Sequence, residues 1–180
     1  MSGRSSTVPA IVLSSRVWRD QDRMVSVLTP EHGKVRLIAK GVRKLTSQRK
    51  AALQPGSRVR CAWTQFGERR ILTEALLDRG TAECAFSLER LRDISAILEI
   101  LSTIALEEIE QEDLFYQAEG LLNYVCQSPE IHRGVVRQKL LELLQSQGIE
   151  VSPEEASNSV IDTIERALGK KLHSFEYFAV

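Results

Sequence analysis

Between residues 9 and 78, apolar and polar residues alternate in short runs, the period of half-buried strands. Five segments carry the pattern: "AIVLSSRVW" (10–18), "DRMVSVLT" (22–29), "KVRLIAK" (34–40), "SRVRCAWTQF" (57–66) and "RRILTEALL" (69–77). His32-Gly33 and Gly67-Glu68 predict tight turns between neighbouring strands, with glycine supplying the positive φ. The longest connection follows the third strand and is punctuated by Pro55-Gly56. Five short antiparallel strands joined this way predict a small closed or nearly closed barrel.

From Ser87 the period becomes helical. Leu88, Leu91, Ile94, Leu98, Leu101, Ile104 and Ala105 share one face of a helix that starts after Ser87 as N-cap. A second helix is predicted over 112–127, with Gly120 allowing close packing. A third is predicted over 128–148, with Ser128 as N-cap, Pro129 at the first helical position and Gly148 as the stop. Ser152 and Glu155 have the spacing of a capping box for a fourth helix, running to about Leu168 and stopped by Gly169. The aromatic segment "LHSFEYF" (172–178) is expected to dock on this bundle. The fold class is therefore α+β: a five-stranded antiparallel barrel over 1–80, then an all-helical domain over 81–180, with the boundary near "DRGTAEC" (78–84).

Charge sharpens this division. The chain is neutral overall, with 24 Lys/Arg and 24 Asp/Glu. Residues 1–80 nevertheless hold 16 Lys/Arg against 6 Asp/Glu, a balance of +10, and residues 81–180 carry the opposite −10. Opposed halves imply two modules with different partners, or halves that neutralise each other by packing. On the barrel half, Arg19, Arg23, Lys34, Arg36, Lys40, Arg43, Lys44, Arg49, Lys50, Arg58, Arg60, Arg69 and Arg70 spread over strands and loops. Arg36 and Lys40 share a strand face, as do Arg58 and Arg60. A basic barrel with a long cationic loop suits backbone-dominated, sequence-tolerant binding of a nucleic acid strand. Lys40, Arg43 and Lys44 read as fixed contacts at a strand end, and Arg49 and Lys50 as a mobile flap that orders on the bound strand. Of the barrel's aromatics Trp18, Trp63 and Phe66, Trp63 is expected in the core.

Catalytic and metal chemistry find little support. His32, His132 and His173 lack a second ligand at metal spacing, and no phosphate-cradling glycine loop or GxSxG elbow occurs. The run "EEIEQED" (107–113) reads as a solvated helix end, with a magnesium-dependent nuclease cluster as the alternative. Cys61, Cys84 and Cys126 are isolated in sequence, which fits buried thiols in a reducing compartment. The polar start "MSGRSSTVPA" has no signal-peptide core and no apolar run reaches membrane-spanning length, so a soluble cytoplasmic protein is expected. No catalysis, metal or cofactor is expected. An adaptor that binds a protein through the acidic helical half is the other functional class.

The stretch "IVLSSRVWRDQDRMVSVLTPEHGKVRLIAKGVRK" (11–44) resembles the opening of the RecO family of recombination mediators. The shared features are the apolar first strand, Asp22-Arg23, His32-Gly33-Lys34 at the turn and "AKGVRK" (39–44). "GERRILTEALL" (67–77) is similar to the family's fifth strand, and "KLLELLQSQGIE" (139–150) and "ERALGKKLHSFEYF" (165–178) to its helical region. The resemblance implies an OB-fold barrel followed by a helical domain. It also implies binding of single- and double-stranded DNA, strand annealing, and loading of the RecA recombinase onto DNA coated with single-stranded-DNA-binding protein (SSB). RecR is the implied partner, in a bacterial cytoplasm and at the nucleoid during repair. Docking of the acidic SSB tail would fall to Arg133 and Arg137, one helical turn apart. Many relatives carry a four-cysteine zinc knuckle where "IEVSPEEAS" (149–157) stands here, so no zinc is expected.

Overall fold

The computed structural model describes residues 7–19, 21–42, 49–81, 84, 87–149, 165–166, 169 and 171. Its strands are β1 (Val8–Val17), β2 (Arg23–Thr29), β3 (Gly33–Ala39), β4 (Arg58–Phe66) and β5 (Arg69–Arg79), with a short helix α1 (Arg49–Ala52) between β3 and β4. The strands close into a barrel in the order β1-β2-β3-β5-β4. Together with the helix after the third strand, this is the OB-fold arrangement. Alternation fills the interior: Ala10, Val12, Val25, Val27, Val35, Leu37, Val59, Cys61 and Leu72 all point inward, with Trp63 packed against them.

One pairing departs from the antiparallel expectation. β3 runs parallel to β5, through the single bridge Ile38↔Ile71. The reason is arithmetic: a closed ring with an odd number of strands cannot alternate direction throughout, so one neighbouring pair must be parallel. The seam left beside the rest of β3 is filled from far along the chain. The Lys34 N–H donates to the Leu106 carbonyl (2.8 Å), the Glu108 N–H to the Lys34 carbonyl (3.4 Å), and the Gln111 N–H to the Pro30 carbonyl (2.9 Å). Arg36 then pairs with Glu107 (2.8 Å) and Arg70 with Glu108 (2.8 Å). Residues 107–112 of the run expected as a solvated helix end thus belong to the barrel unit, while Glu112 and Asp113 open the next helix as expected. Glu108 is held at φ 61°, a conformation that the surrounding bonds must enforce in a residue with a side chain.

The chain folds as two units. One is Met1–Thr81 with Leu106–Glu112; the other is Ala82–Ala105 with Asp113–Val180. Glu107, Glu108, Glu110 and Glu112 belong to the first, so its formal balance drops from +10 to +6.

The second unit contains α2 (Leu88–Ile104), α3 (Glu112–Gln127, whose first residue lies in the barrel unit) and α4 (Arg133–Ser146). Ser87 caps α2, its hydroxyl accepting from the Arg90 N–H at 3.3 Å. Leu88 is exposed in the first turn, whereas Ile94, Ile97, Leu98, Ile100, Leu101 and Ile104 form the buried face. α4 starts later than the Ser128-Pro129 signal predicts, with His132 as N-cap. The Arg90 guanidinium explains the delay, donating to the carbonyls of Val125 (2.6 Å), Cys126 (3.1 Å), Ser128 (2.5 Å) and Pro129 (3.2 Å). A cation at the carbonyl end of α3 satisfies groups that the helix leaves open, and holds 128–129 outside a new helix.

Cys84 and Cys126, expected as isolated thiols, are joined in a disulfide with Cα atoms 5.3 Å apart. A separation of 42 residues carries no sign of that proximity. Cys61 remains a thiol, and burial in the barrel pushes its pKa up to about 12, so it is a poor nucleophile. The helix expected over 152–168 and the segment 172–178 lie outside the described residues, except that Glu165 and Arg166 are helical. Among the described residues no helix is long and apolar enough to cross a membrane.

Gly120 has a different role from the close packing expected of it. A Cβ placed there would meet nothing within 4 Å, and the residue lines an open groove with Tyr116, Lys139 and Glu142. Gly120→Ala should therefore stabilise the helical unit by about 1 kcal/mol, through the backbone entropy that glycine gives up in a helix. A higher thermal midpoint is the expected readout; a lower one would reveal a steric demand on the groove.

Candidate nucleic-acid interface

The β1–β2 turn and the end of β3 are tied together by one carboxylate. The Trp18 N–H donates to the Asp22 carbonyl (3.1 Å), and the Asp22 N–H to the Arg19 carbonyl (3.2 Å), which closes the turn. Asp22 Oδ1 then accepts from the Gly41 N–H at 2.9 Å. Gly41 has φ 66°, a backbone geometry that favours glycine at the point where the chain leaves β3. This bond explains physically why Asp22 and "AKG" (39–41) occur together. It brings Arg19 and Lys40, both exposed, to one margin of the barrel.

The registers define the surface beside that margin. Arg16 pairs with Met24, Met24 with Ile38, Ile38 with Ile71, and Ile71 with Thr64. These five residues form one row across all five strands. The neighbours Val25, Leu37 and Leu72 fill the interior, so Met24, Ile38 and Ile71 turn outward, where they are half-buried. Two residues along from the row on β4 and β5 stand Phe66 and Arg69, paired with each other across the hairpin and both exposed. The result is a shallow apolar track with Arg16 at one end, Trp18, Arg19 and Lys40 on one side, and Arg69 and Phe66 on the other. OB-folds bind oligonucleotides on this face, over strands 2 and 3 and between the β1–β2 and β4–β5 loops.

The cations expected from the sequence fall into distinct groups. Arg19 and Lys40 are exposed on the margin described, and Lys50 is exposed on α1. Arg49 and Lys50 sit on a helix rather than a flap, anchored by Ala52 and Leu53 in the barrel core. Arg36 is engaged by Glu107. Arg60 donates from Nε to Asp78 Oδ1 (2.9 Å), and the Arg58 guanidinium lies 4.0 Å from Asp78 Oδ2. Arg70, with only 18% of its side chain exposed, is paired with Glu108. Arg23 donates to the Ser15 carbonyl (2.8 Å), and its Nε is buried without a partner. Lys34 is half-buried on β3. Arg43 and Lys44 lie outside the described residues. Arg16 belongs with the exposed set and was missing from the sequence-derived one; its place two residues before Trp18 was the available signal.

In the helical unit, Arg133 is held by Glu89 at 3.1 Å and Arg137 is half-buried on α4. Among the described residues, no group of three or more His, Cys, Asp or Glu side chains is placed to hold a metal ion.

Comparison with known proteins agrees with this geometry in the barrel. Residues 1–77 match the family described as "Recombination protein O N terminal". The chain is 43% identical over 67 residues to the DNA repair protein RecO of Nitrosococcus oceani, a match covering 37% of this chain and 27% of that protein. It is 32% identical over 106 residues to the DNA repair protein RecO of Desulforamulus reducens, covering 59% of this chain and 41% of that protein. The counterpart from Salmonella paratyphi B is 42% identical over 66 residues, covering 37% and 27%. These matches therefore span well under half the length of the relatives.

Proposed function

We propose that the chain, whose residues 1–77 match the N-terminal region of the RecO family of DNA repair proteins, is a non-catalytic DNA-binding recombination mediator. The barrel face holds the strand through its phosphates. It accepts single- and double-stranded DNA, promotes annealing, and acts with RecR to load RecA on SSB-coated DNA. The observation that carries this reading is the set of exposed cations Arg16, Arg19, Lys40, Lys50 and Arg69, which make no ion pair among the described residues. Arg16 stands in the outward row of the barrel, Arg19, Lys40 and Arg69 border it, and Lys50 stands on α1. Phosphate contacts of this kind are indifferent to sequence and sensitive to salt. Docking of an acidic SSB tail falls to Arg137, half-buried on α4, and to Arg133, whose exposed pair with Glu89 an acidic tail would displace.

A salt titration tests the reading. With about five phosphates neutralised, affinity for a single strand should fall roughly a hundredfold between 50 and 200 mM salt. Binding that does not respond to salt would refute it. Capture of a protein partner by a chain with no affinity for DNA would favour the adaptor alternative instead.

A further inference from the structure

We propose that unpaired bases stack on Trp18 and Phe66, at opposite margins of the row Arg16–Met24–Ile38–Ile71–Thr64. This rests on the DNA-binding reading above and adds what the site selects: bases exposed from a duplex. The barrel has three large aromatics outside its turn histidine, and the structure sorts them. Trp63 packs against the interior, with His32 edge-on at 5.4 Å. Trp18 is 49% exposed and Phe66 63% exposed, although neither is needed to fill the core.

Their surroundings point to a nucleic acid strand rather than a protein surface. Each is flanked by cations, Trp18 by Arg16 and Arg19 and Phe66 by Arg69, whereas a docking patch for a protein would be contiguous and apolar. The track between them has half-buried Met24, Ile38 and Ile71, which tolerate any base face but offer it no hydrogen-bond code. Four strand spacings of about 4.8 Å make the row an arc of roughly 19 Å around the barrel, of which the β1–β2–β3 part is enough for a short run of nucleotides. Glu107 and Glu108 pair with Arg36 and Arg70 and leave those two arginines without a free charge, so phosphates are drawn to Arg16, Arg19 and Lys40, which are unpaired among the described residues. Stacking of this kind is tolerant of sequence because every base has a π-face.

The chain has two tryptophans, so Trp63→Phe leaves Trp18 as the only one. Its emission should be quenched by oligothymidylate and left unchanged by an abasic strand of equal length. In the otherwise unaltered chain, Trp18→Ala and Phe66→Ala should each weaken oligothymidylate binding by roughly 5- to 150-fold. Affinity for a blunt duplex and for the abasic strand should stay within about twofold, and Trp18→Phe should restore most of the loss. Both side chains are exposed, so truncation leaves the core intact. Unchanged oligothymidylate affinity in both alanine variants, with salt dependence retained, would overturn the stacking and leave the DNA-binding reading in place. An equal loss on the abasic strand would also overturn it, by assigning the residues to the backbone. Failure of the unsubstituted chain to bind any strand at 50 mM salt would remove both.

Discussion

Gly33→Ala is expected to destabilise the barrel unit by roughly 3 kcal/mol, lowering its thermal midpoint by on the order of 15 °C. Two independent demands meet at this residue. Its φ of 55° costs any L-residue about 1–2 kcal/mol. A Cβ there would also lie 2.2 Å from the Ile109 carbonyl oxygen and 2.6 Å from that of Leu106. Those are backbone atoms of the 106–112 segment, held by hydrogen bonds to Lys34 and Pro30, so relief would require the seam of the barrel to open. Gly67 supplies the control. It also sits in a strand turn, at φ 58°, yet a Cβ there meets nothing within 4 Å. Gly67→Ala should therefore show only the conformational cost. Equal midpoints for the two variants, measured by heat or urea, would mean that the 106–112 segment does not press on β3.

Neutralising Arg19 and Lys40 together, as Arg19→Gln/Lys40→Gln, should weaken single-strand binding on the order of 50-fold at 50 mM salt. The slope of log affinity against log salt should become shallower by about 1.4. The same change at Arg58 and Arg60 should leave affinity within about threefold. Both arginines lie at Asp78, whose single carboxylate offsets one of the two charges, and both stand at least four residues along β4 from Thr64 in the row. The sequence does not separate the two pairs, since all four residues belong to the same basic module. A larger loss from the Arg58/Arg60 pair would move the binding surface to the β4–β5 face.

The five strands, the Ser87 cap and the start of α3 were legible because each is written in nearest neighbours along the chain. Alternation of Val59 and Cys61 with Arg58 and Arg60 is a local signal, and burial follows it up to the register shift at Ala62 and Trp63, where Ala62 is buried too. The late start of α4 was not legible, because Ser128 and Pro129 are good local signals overruled by Arg90, 38 residues upstream of Ser128. The Cys84–Cys126 disulfide was hidden for the same reason. In the candidate interface, the motif residues Asp22, Arg23 and Gly41 could be seen to matter but not why. The structure makes Asp22 the clasp for Gly41 and turns Arg23 toward the Ser15 carbonyl.

The barrel's strands, its glycine turns, its basic composition and the likeness of residues 1–77 to RecO proteins were all written in the sequence, in periodicity and short motifs. Only the tertiary structure decided which cations and aromatics remain open to a ligand. Arg36 and Glu107 stand 71 residues apart, and a +10 module becomes +6 only when the 106–112 segment closes the seam. Charge is a property of residues, whereas availability depends on who their neighbours are after folding. That is why Arg16, Arg19 and Lys40 stay exposed while Arg36, Arg58, Arg60 and Arg70 are drawn into ion pairs.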